Sequence, residues 1–133
     1  MGEQATGAEK KLKNIQDFLS AEINEEYCGS VLNIFSFITQ KWTMSILAAL
    51  ETSSLRNYEL LRKLHGISPK MLNEVLKRLV DYKMVHRTVY PEVPPKVEYE
   101  LTEFGRSLYE PTLSILHWAV KNKTEIQEIK KQV

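Results

Sequence analysis

Between Leu64 and Met71 the sequence ends one amphipathic helix and begins another, leaving almost no chain for a loop between them. Upstream, Tyr58, Leu60, Leu61 and Leu64 recur at helical spacing behind Asn57, whose side chain can accept from the free amides of a first turn. His65-Gly66 then stops that helix, because glycine most readily takes the left-handed conformation that follows a helix end. Ser68-Pro69 starts the next: serine is a preferred N-cap, and proline in the first turn loses no hydrogen bond and already has a helical φ. Met71, Leu72, Val75, Leu76 and Leu79 form its apolar stripe, which turns Lys70, Asn73, Glu74, Lys77 and Arg78 outward. A short helix, a tight glycine turn and a second helix with a polar outer face make a helix-turn-helix pattern.

After Tyr82 the hydrophobic period changes from helical to alternating. Val85, Arg87 and Val89 point one way and His86, Thr88 and Tyr90 the other, and the stretch from Lys96 to Leu101 alternates again. Between them Pro91, Pro94 and Pro95 remove amide donors and fix φ, so the tip forms a stiff loop that cannot extend the sheet. A helix-turn-helix followed by such a hairpin predicts a winged helix: mainly α, with a small β-hairpin wing.

The flanks are helical too. Leu12, Ile15, Phe18 and Leu19 recur at helical spacing, as do Val31, Leu32, Ile34, Phe35, Phe37 and Ile38, then Trp42, Ile46, Leu47 and Leu50 before the polar break at Glu51-Thr52-Ser53-Ser54. Thr102 can cap a further helix with Phe104, Leu108, Leu113, Leu116 and Val120 as its buried side, Pro111 either kinking it or starting a new segment. A second stripe, Ile115, Ala119, Ile126, Ile129 and Val133, is unnecessary for a monomer's core and suits a dimer seam together with the Leu12 to Leu19 helix. Trp42 and Trp118 fall on helical apolar stripes and read as core or interface anchors. The expected organisation is a flexible N-terminus over residues 1–9, then one winged-helix domain over residues 10–133 that includes the terminal dimerisation helices.

Composition narrows the function. With 133 residues, 43% hydrophobic and 26% charged, the chain fits one globular domain and not the two lobes of most cofactor-dependent enzymes. Its longest apolar runs are far shorter than the roughly 20 residues of a spanning helix, and Met1 to Lys11 hold no signal-peptide core, so a soluble cytoplasmic protein away from membranes is expected. The single cysteine, Cys28, excludes an intrachain disulfide framework, and His65, His86 and His117 are too scattered for zinc, so neither metal nor cofactor is expected. No Ser/His/Asp order, phosphate-cradling glycine loop or catalytic carboxylate pair appears, so no enzyme is expected either. Net charge is only +1, yet residues 56–87 carry eight basic and three acidic groups while residues 1–31 carry three and six. A basic block within a neutral chain is what a phosphate backbone would meet, or else a lysine-rich solvated face.

Cys28, Lys41-Trp42-Thr43, Arg56-Asn57-Tyr58-Glu59-Leu60, Ile67-Ser68-Pro69-Lys70-Met71-Leu72, Val85, Arg87, Tyr90, Pro94, Val97, Tyr99, Leu101-Thr102, Gly105 and Trp118 fall in a set order. In this the chain resembles the HxlR-type transcriptional regulators, winged-helix relatives of the MarR regulators, over about residues 28–119. The stretches from Ile67 to Leu72 and from Val85 to Gly105 are its most specific parts. Two glycines common in the family are Gln40 and Lys83 here, so departures are expected at those helix ends, and the segment before Cys28 is longer than usual.

The resemblance implies a homodimer on a palindromic operator in double-stranded DNA, each subunit setting the helix from Ser68 into the major groove, in the manner of a repressor. Independently, Lys70, Asn73, Lys77 and Arg78 supply donors for base edges and phosphates, Ser68 caps the helix and can meet a phosphate, and Arg56, Arg87 and Lys96 can reach the neighbouring backbone or minor groove. Leu12, Ile15, Leu19, Ile115, Trp118, Ala119, Ile126 and Ile129 are the candidate dimer contacts. In several family members a cysteine at the place of Cys28 senses oxidants or electrophiles. A helix N-terminus after Cys28 would favour its thiolate while Glu25 and Glu26 oppose it, so sensing and inert packing both stand, as does an inducer bound without covalent chemistry. A winged helix that binds only protein is the alternative from another class.

Overall fold

A computed structural model describes residues 30–132, in two units that divide between Gln40 and Lys41. Leu12, Ile15, Leu19, Cys28 and Val133 lie outside the described residues. The first unit contributes helix α1 (Ser30–Ile38). The Thr39 amide and hydroxyl both donate to the Phe35 carbonyl, at 3.2 and 3.0 Å, and close its last turn. Phe37 is buried, while Val31 and Phe35 are exposed.

In the second unit α2 (Lys41–Ala49) buries Thr43, Ile46 and Leu47, and Leu50 just beyond it, on the spacing of a single helical face. The chain then passes Leu55, whose amide and carbonyl exchange 2.9 Å hydrogen bonds with those of Tyr99. Helix α3 (Asn57–Lys63) follows. Arg56, not Asn57, is its capping residue: the Glu59 carboxylate accepts from the Arg56 amide at 2.9 Å, and Asn57 is the first residue inside the helix. A glutamate in the third helical position reaches back to the chain entering the helix, and this leaves the Asn57 amide for another partner.

Gly66, with φ of 94°, makes the turn into α4 (Pro69–Asp81). As the sequence requires, the Ser68 hydroxyl accepts from the Met71 amide at 3.0 Å and Pro69 occupies the first turn. Leu72, Val75, Leu76 and Leu79 are buried; Met71, at the edge of that stripe, is 39% exposed. At the far end the Lys83 amide donates to Val80 and the Met84 amide to Leu79, both at 2.9 Å, while Lys83 itself takes φ of 61°. These paired bonds end the helix and turn the chain directly into the hairpin.

Strands β1 (Val85–Tyr90) and β2 (Lys96–Leu101) pair antiparallel, Val85 opposite Leu101 and Tyr90 opposite Lys96. Only the base is anchored, by buried Val85, Tyr99 and Leu101; the rest of β1 is exposed, as a projecting wing must be. Thr102 caps α5 (Glu103–Arg106), accepting from Gly105 at 3.0 Å and donating to the Lys83 carbonyl at 2.7 Å. Gly105 is needed because a Cβ there would run into the Met84 carbonyl. The helix stops at Ser107 and restarts as α6 (Tyr109–Lys121), with Pro111 in its first turn, where a missing amide costs nothing. Pro111 therefore belongs to a new segment and kinks nothing. Asn122 closes α6 by donating to the Trp118 carbonyl from its amide and side chain, at 3.1 and 2.8 Å, before α7 (Lys123–Gln132).

The break at Ser107 corrects one expectation. Phe104, Leu108, Leu113, Leu116 and Val120 share a face only if one helix runs through them. Leu108 and Leu113 are half-buried, but Phe104, Leu116 and Val120 are exposed, Val120 at 70%. The fold is thus mainly helical with a two-stranded wing, a winged helix-turn-helix.

Candidate nucleic-acid interface

Burial of one side of α4 determines what its other side presents. Lys70, Asn73, Glu74, Lys77, Arg78 and Asp81 are all exposed. Lys70, Asn73 and Lys77 lie in one row, three and four residues apart, along a helix of 13 residues and about 20 Å. A helix of that size enters a major groove about 12 Å wide. The row alternates cation, amide, cation, which suits phosphates at its ends and a base edge between them. Glu74, on the same side, is repelled by phosphate and finds a favourable partner in that groove in a base amino group, most commonly that of cytosine.

Next to this row α4 and the wing enclose a concavity of about 290 Å³ lined by Asn73, Leu76, Lys77, Val80, Asp81, Arg87 and Tyr99. Lys77 from the helix and Arg87 from β1 thus border the same space. The sequence names both without showing that they meet. Two cations on one concave wall attract an anionic backbone more strongly than two separated ones, and the arginine fork can hold a phosphate through two hydrogen bonds. Asp81 lines the same concavity and sets one negative charge beside the two cations.

The other face of the wing has a different character. His86, Thr88 and Tyr90 on β1 lie opposite Glu100, Glu98 and Lys96 on β2. The Lys96 ammonium stands 3.7 Å from the Glu98 carboxylate and 4.9 Å from the Tyr90 ring centre. Hydrogen bonding toward the Glu98 carboxylate, the Glu98 charge, desolvation and the charges of Glu100 and Glu92 all raise the Tyr90 phenol pKa above the ordinary tyrosine value. Lys96 is therefore engaged within an acidic face, unlike Arg87 on the opposite side of the ribbon.

Arg56 enters α3 beside Asn57, whose Nδ2 donates to Asn73 Oδ1 at 2.7 Å, so the start of α3 adjoins the middle of the α4 row. Sequence reasoning gave Asn57 only a capping role, and nothing in the spacing of two asparagines sixteen residues apart reveals the contact. Ser68 spends its hydroxyl on the cap.

Away from this face, α6 and α7 expose Ile115, Trp118, Ile126 and Ile129, with Ala119 half-buried between them. A second concavity, mostly apolar, lies between α2 and α6 among Leu47, Ala48, Leu108, Leu113 and Leu116, with Glu51 at its edge held 3.4 Å from the Arg106 guanidinium. Among the described residues no helix is long and apolar enough to cross a membrane.

Residues 37–127 match the family described as HxlR-like helix-turn-helix. MalR of Fusobacterium mortiferum is 42% identical over 106 residues, which are 78% of this chain and 99% of that relative. YtfH of Escherichia coli K12, an uncharacterised HTH-type transcriptional regulator, is 32% identical over 115 residues, covering 86% of this chain and 90% of its own. Among solved structures the redox regulator HypR in its reduced form superposes with a TM-score of 0.69 at 34% identity, over 75% of this chain and 99% of that one.

Proposed function

The chain belongs to the HxlR-like helix-turn-helix family and is a transcriptional regulator of the winged-helix type, and on that premise we propose that it binds palindromic duplex DNA sequence-specifically as a homodimer. On this reading α4 of each subunit lies in a major groove, Lys70 and Lys77 meet phosphates, Asn73 reads a base edge, and Arg87 holds the backbone beside the wing. The observation that carries it is the shared concavity of Lys77 and Arg87, which joins recognition helix and wing into one basic surface. Its work is binding rather than catalysis, in the cytoplasm with the chromosome, and a dimer covering a promoter represses by occlusion.

Genome-wide selection of binding sites with the purified chain tests this. The expected result is an inverted repeat with half-sites about one helical turn, roughly 34 Å, apart. No enriched sequence would favour the protein-binding alternative. Deleting the gene should raise transcription next to the selected sites; a fall would mean activation instead.

A redox response is the second reading, favoured by the likeness to HypR, a redox regulator. We assign it to Cys28, the chain's single thiol, as an adduct or a disulfide with the other subunit that changes the angle between the two recognition helices. Diamide or a quinone should then abolish operator binding by the wild type and spare Cys28→Ser. Equal loss in both, or in neither, assigns the thiol to packing and the signal to a non-covalent ligand.

A further inference from the structure

A helix that buries one of its sides takes its direction from that packing, and one that does not takes it from its ends. Among the described residues of α6 none is buried, and Thr112, Leu113 and Ala119 are only half-buried. The apolar concavity, about 90 Å³, lies between α6 and α2, so the two helices are not closely packed along that side. The base of α6 is held differently. Only Ser107 and Leu108 separate it from α5, which is keyed into the junction of recognition helix and wing: the Thr102 hydroxyl donates to the Lys83 carbonyl at 2.7 Å, the Thr102 amide donates to the Met84 carbonyl at 3.0 Å, and Gly105 abuts that same carbonyl. On its other side Arg106, the last residue of α5, reaches the end of α2, where its Nη1 donates to the Glu51 carbonyl at 3.1 Å and to the Glu51 carboxylate at 3.4 Å. The base of α6 is thus clasped to the recognition helix by Thr102 and to α2 by Arg106.

We propose that Arg106 is a positioning residue for operator recognition: by tying α5 to α2 it fixes the direction in which α6 leaves the winged domain, and so the spacing of the two half-sites that the dimer accepts. The inference rests on the reading given above, that α4 enters the major groove and α6 carries the dimer contact. A helix of 13 residues is about 20 Å long, so a swing of about 10° at its base moves its far end by roughly 3.5 Å, close to the rise of one base pair. Trp118 stands toward that far end, and two-fold symmetry applies the same swing to the other subunit. A half-exposed ion pair alone holds little, but the second acceptor is a main-chain carbonyl, which cannot rotate away. Arg106 touches no DNA on this account; it acts through α6, while Lys70, Asn73 and Lys77 keep their places on α4.

Operators in which the selected half-sites stay constant and the spacer between them is lengthened or shortened by single base pairs separate this from a merely structural role. Relative affinities across the spacer series are measured for wild type, Arg106→Ala, Glu51→Ala and the double variant, each checked by its thermal melt and by sedimentation. The wild type should prefer one spacer. In Arg106→Ala the preference for that spacer over its neighbours should fall by about fivefold, with the base preferences inside each half-site unchanged and the dimer retained. Glu51→Ala, which leaves the carbonyl in place, should fall between the two, and the double variant should match Arg106→Ala, because the carboxylate acts through the arginine. If Arg106→Ala does not fold, Glu51→Ala decides alone: a weakened spacer preference supports the proposal and an unchanged one overturns it. A wild type indifferent to the spacer, an unchanged preference in Arg106→Ala, a loss spread over the bases of the half-site, or a double variant in which the two effects add overturns the role of Arg106 while leaving DNA binding intact. A wild type that selects no inverted repeat, or that sediments as one chain, overturns the dimeric reading and this inference with it.

Discussion

The Met84 amide donates to the Leu79 carbonyl at 2.9 Å, so the last turn of the recognition helix is tied to the first residue of the segment that becomes the wing. Lys83, enclosed by that bond, has φ of 61°, a left-handed conformation that costs a side-chain-bearing residue about 1–2 kcal/mol. Family members commonly place a glycine here, and the departure leaves the motif intact at the expense of stability. Lys83→Gly should therefore be neutral to stabilising by up to about 1 kcal/mol, since relief of strain is partly offset by the freer unfolded chain. Lys83→Val should cost about 1–2 kcal/mol more than the glycine variant, because branching at Cβ worsens the same contact. Urea melts of the three proteins check both; a valine variant as stable as the glycine variant would mean that the φ is not a source of strain.

Thr43 supplies a second stability test. It is fully buried, and among the described residues its hydroxyl has no hydrogen-bond partner. A methyl group in its place keeps the volume and removes an unsatisfied polar group, so Thr43→Val should raise stability by about 1–2 kcal/mol without altering DNA affinity. A less stable variant would show that the hydroxyl has a partner in solution.

Elements whose signals are local were legible in the sequence. The Ser68-Pro69 start, the Gly66 turn and the change of period at Val85 each depend on the chemistry of adjacent residues, and each stands in the structure. What depends on geometry across the chain was not legible. Helical spacing groups Phe104 with Leu116 and Val120, but a two-residue break at Ser107 and Leu108 shifts the phase and leaves all three exposed. An asparagine before a helix reads as its cap until Glu59 is seen to serve the Arg56 amide, which frees Asn57 for Asn73. Likewise Lys96 and Arg87 look equivalent as wing cations in sequence, and only the strand register sends one to the acidic face and the other to the concavity beside Lys77.

That difference predicts unequal effects on DNA binding. Lys77→Ala and Arg87→Ala should each weaken binding to all sequences and reduce the slope of log K against log salt by roughly one unit, as expected for loss of one phosphate contact. Lys96→Ala should change the slope by much less, because its ammonium is already engaged by Glu98 and Tyr90. Affinities measured between low and physiological salt separate the three. A Lys96 effect equal to that of Arg87 would mean that the acidic face opens on binding and that the wing approaches DNA from its other side.

The exposed side of α6 and α7 gives the last prediction. Trp118 is 61% exposed, and Ile115 on the same helix and Ile129 on α7 are similarly open. A tryptophan presents about 150–250 Å² for burial, so covering this one in a symmetric partner removes on the order of 100 Å² per subunit and contributes roughly 2–3 kcal/mol at each copy. Because each subunit contributes the same surface, a single substitution removes the anchor twice and inserts two charges into one seam. Trp118→Lys should accordingly convert a dimer into a monomer in sedimentation at micromolar concentration, with the fold retained, since the side chain lies outside the core. The monomer should still bind a single half-site weakly and lose the joint affinity for two, which is the signature of a lost linkage between reading heads and not of a damaged recognition helix. A wild type that sediments with the mass of one chain, or a variant that remains dimeric, would place the dimer contact elsewhere and leave this apolar surface for a different partner.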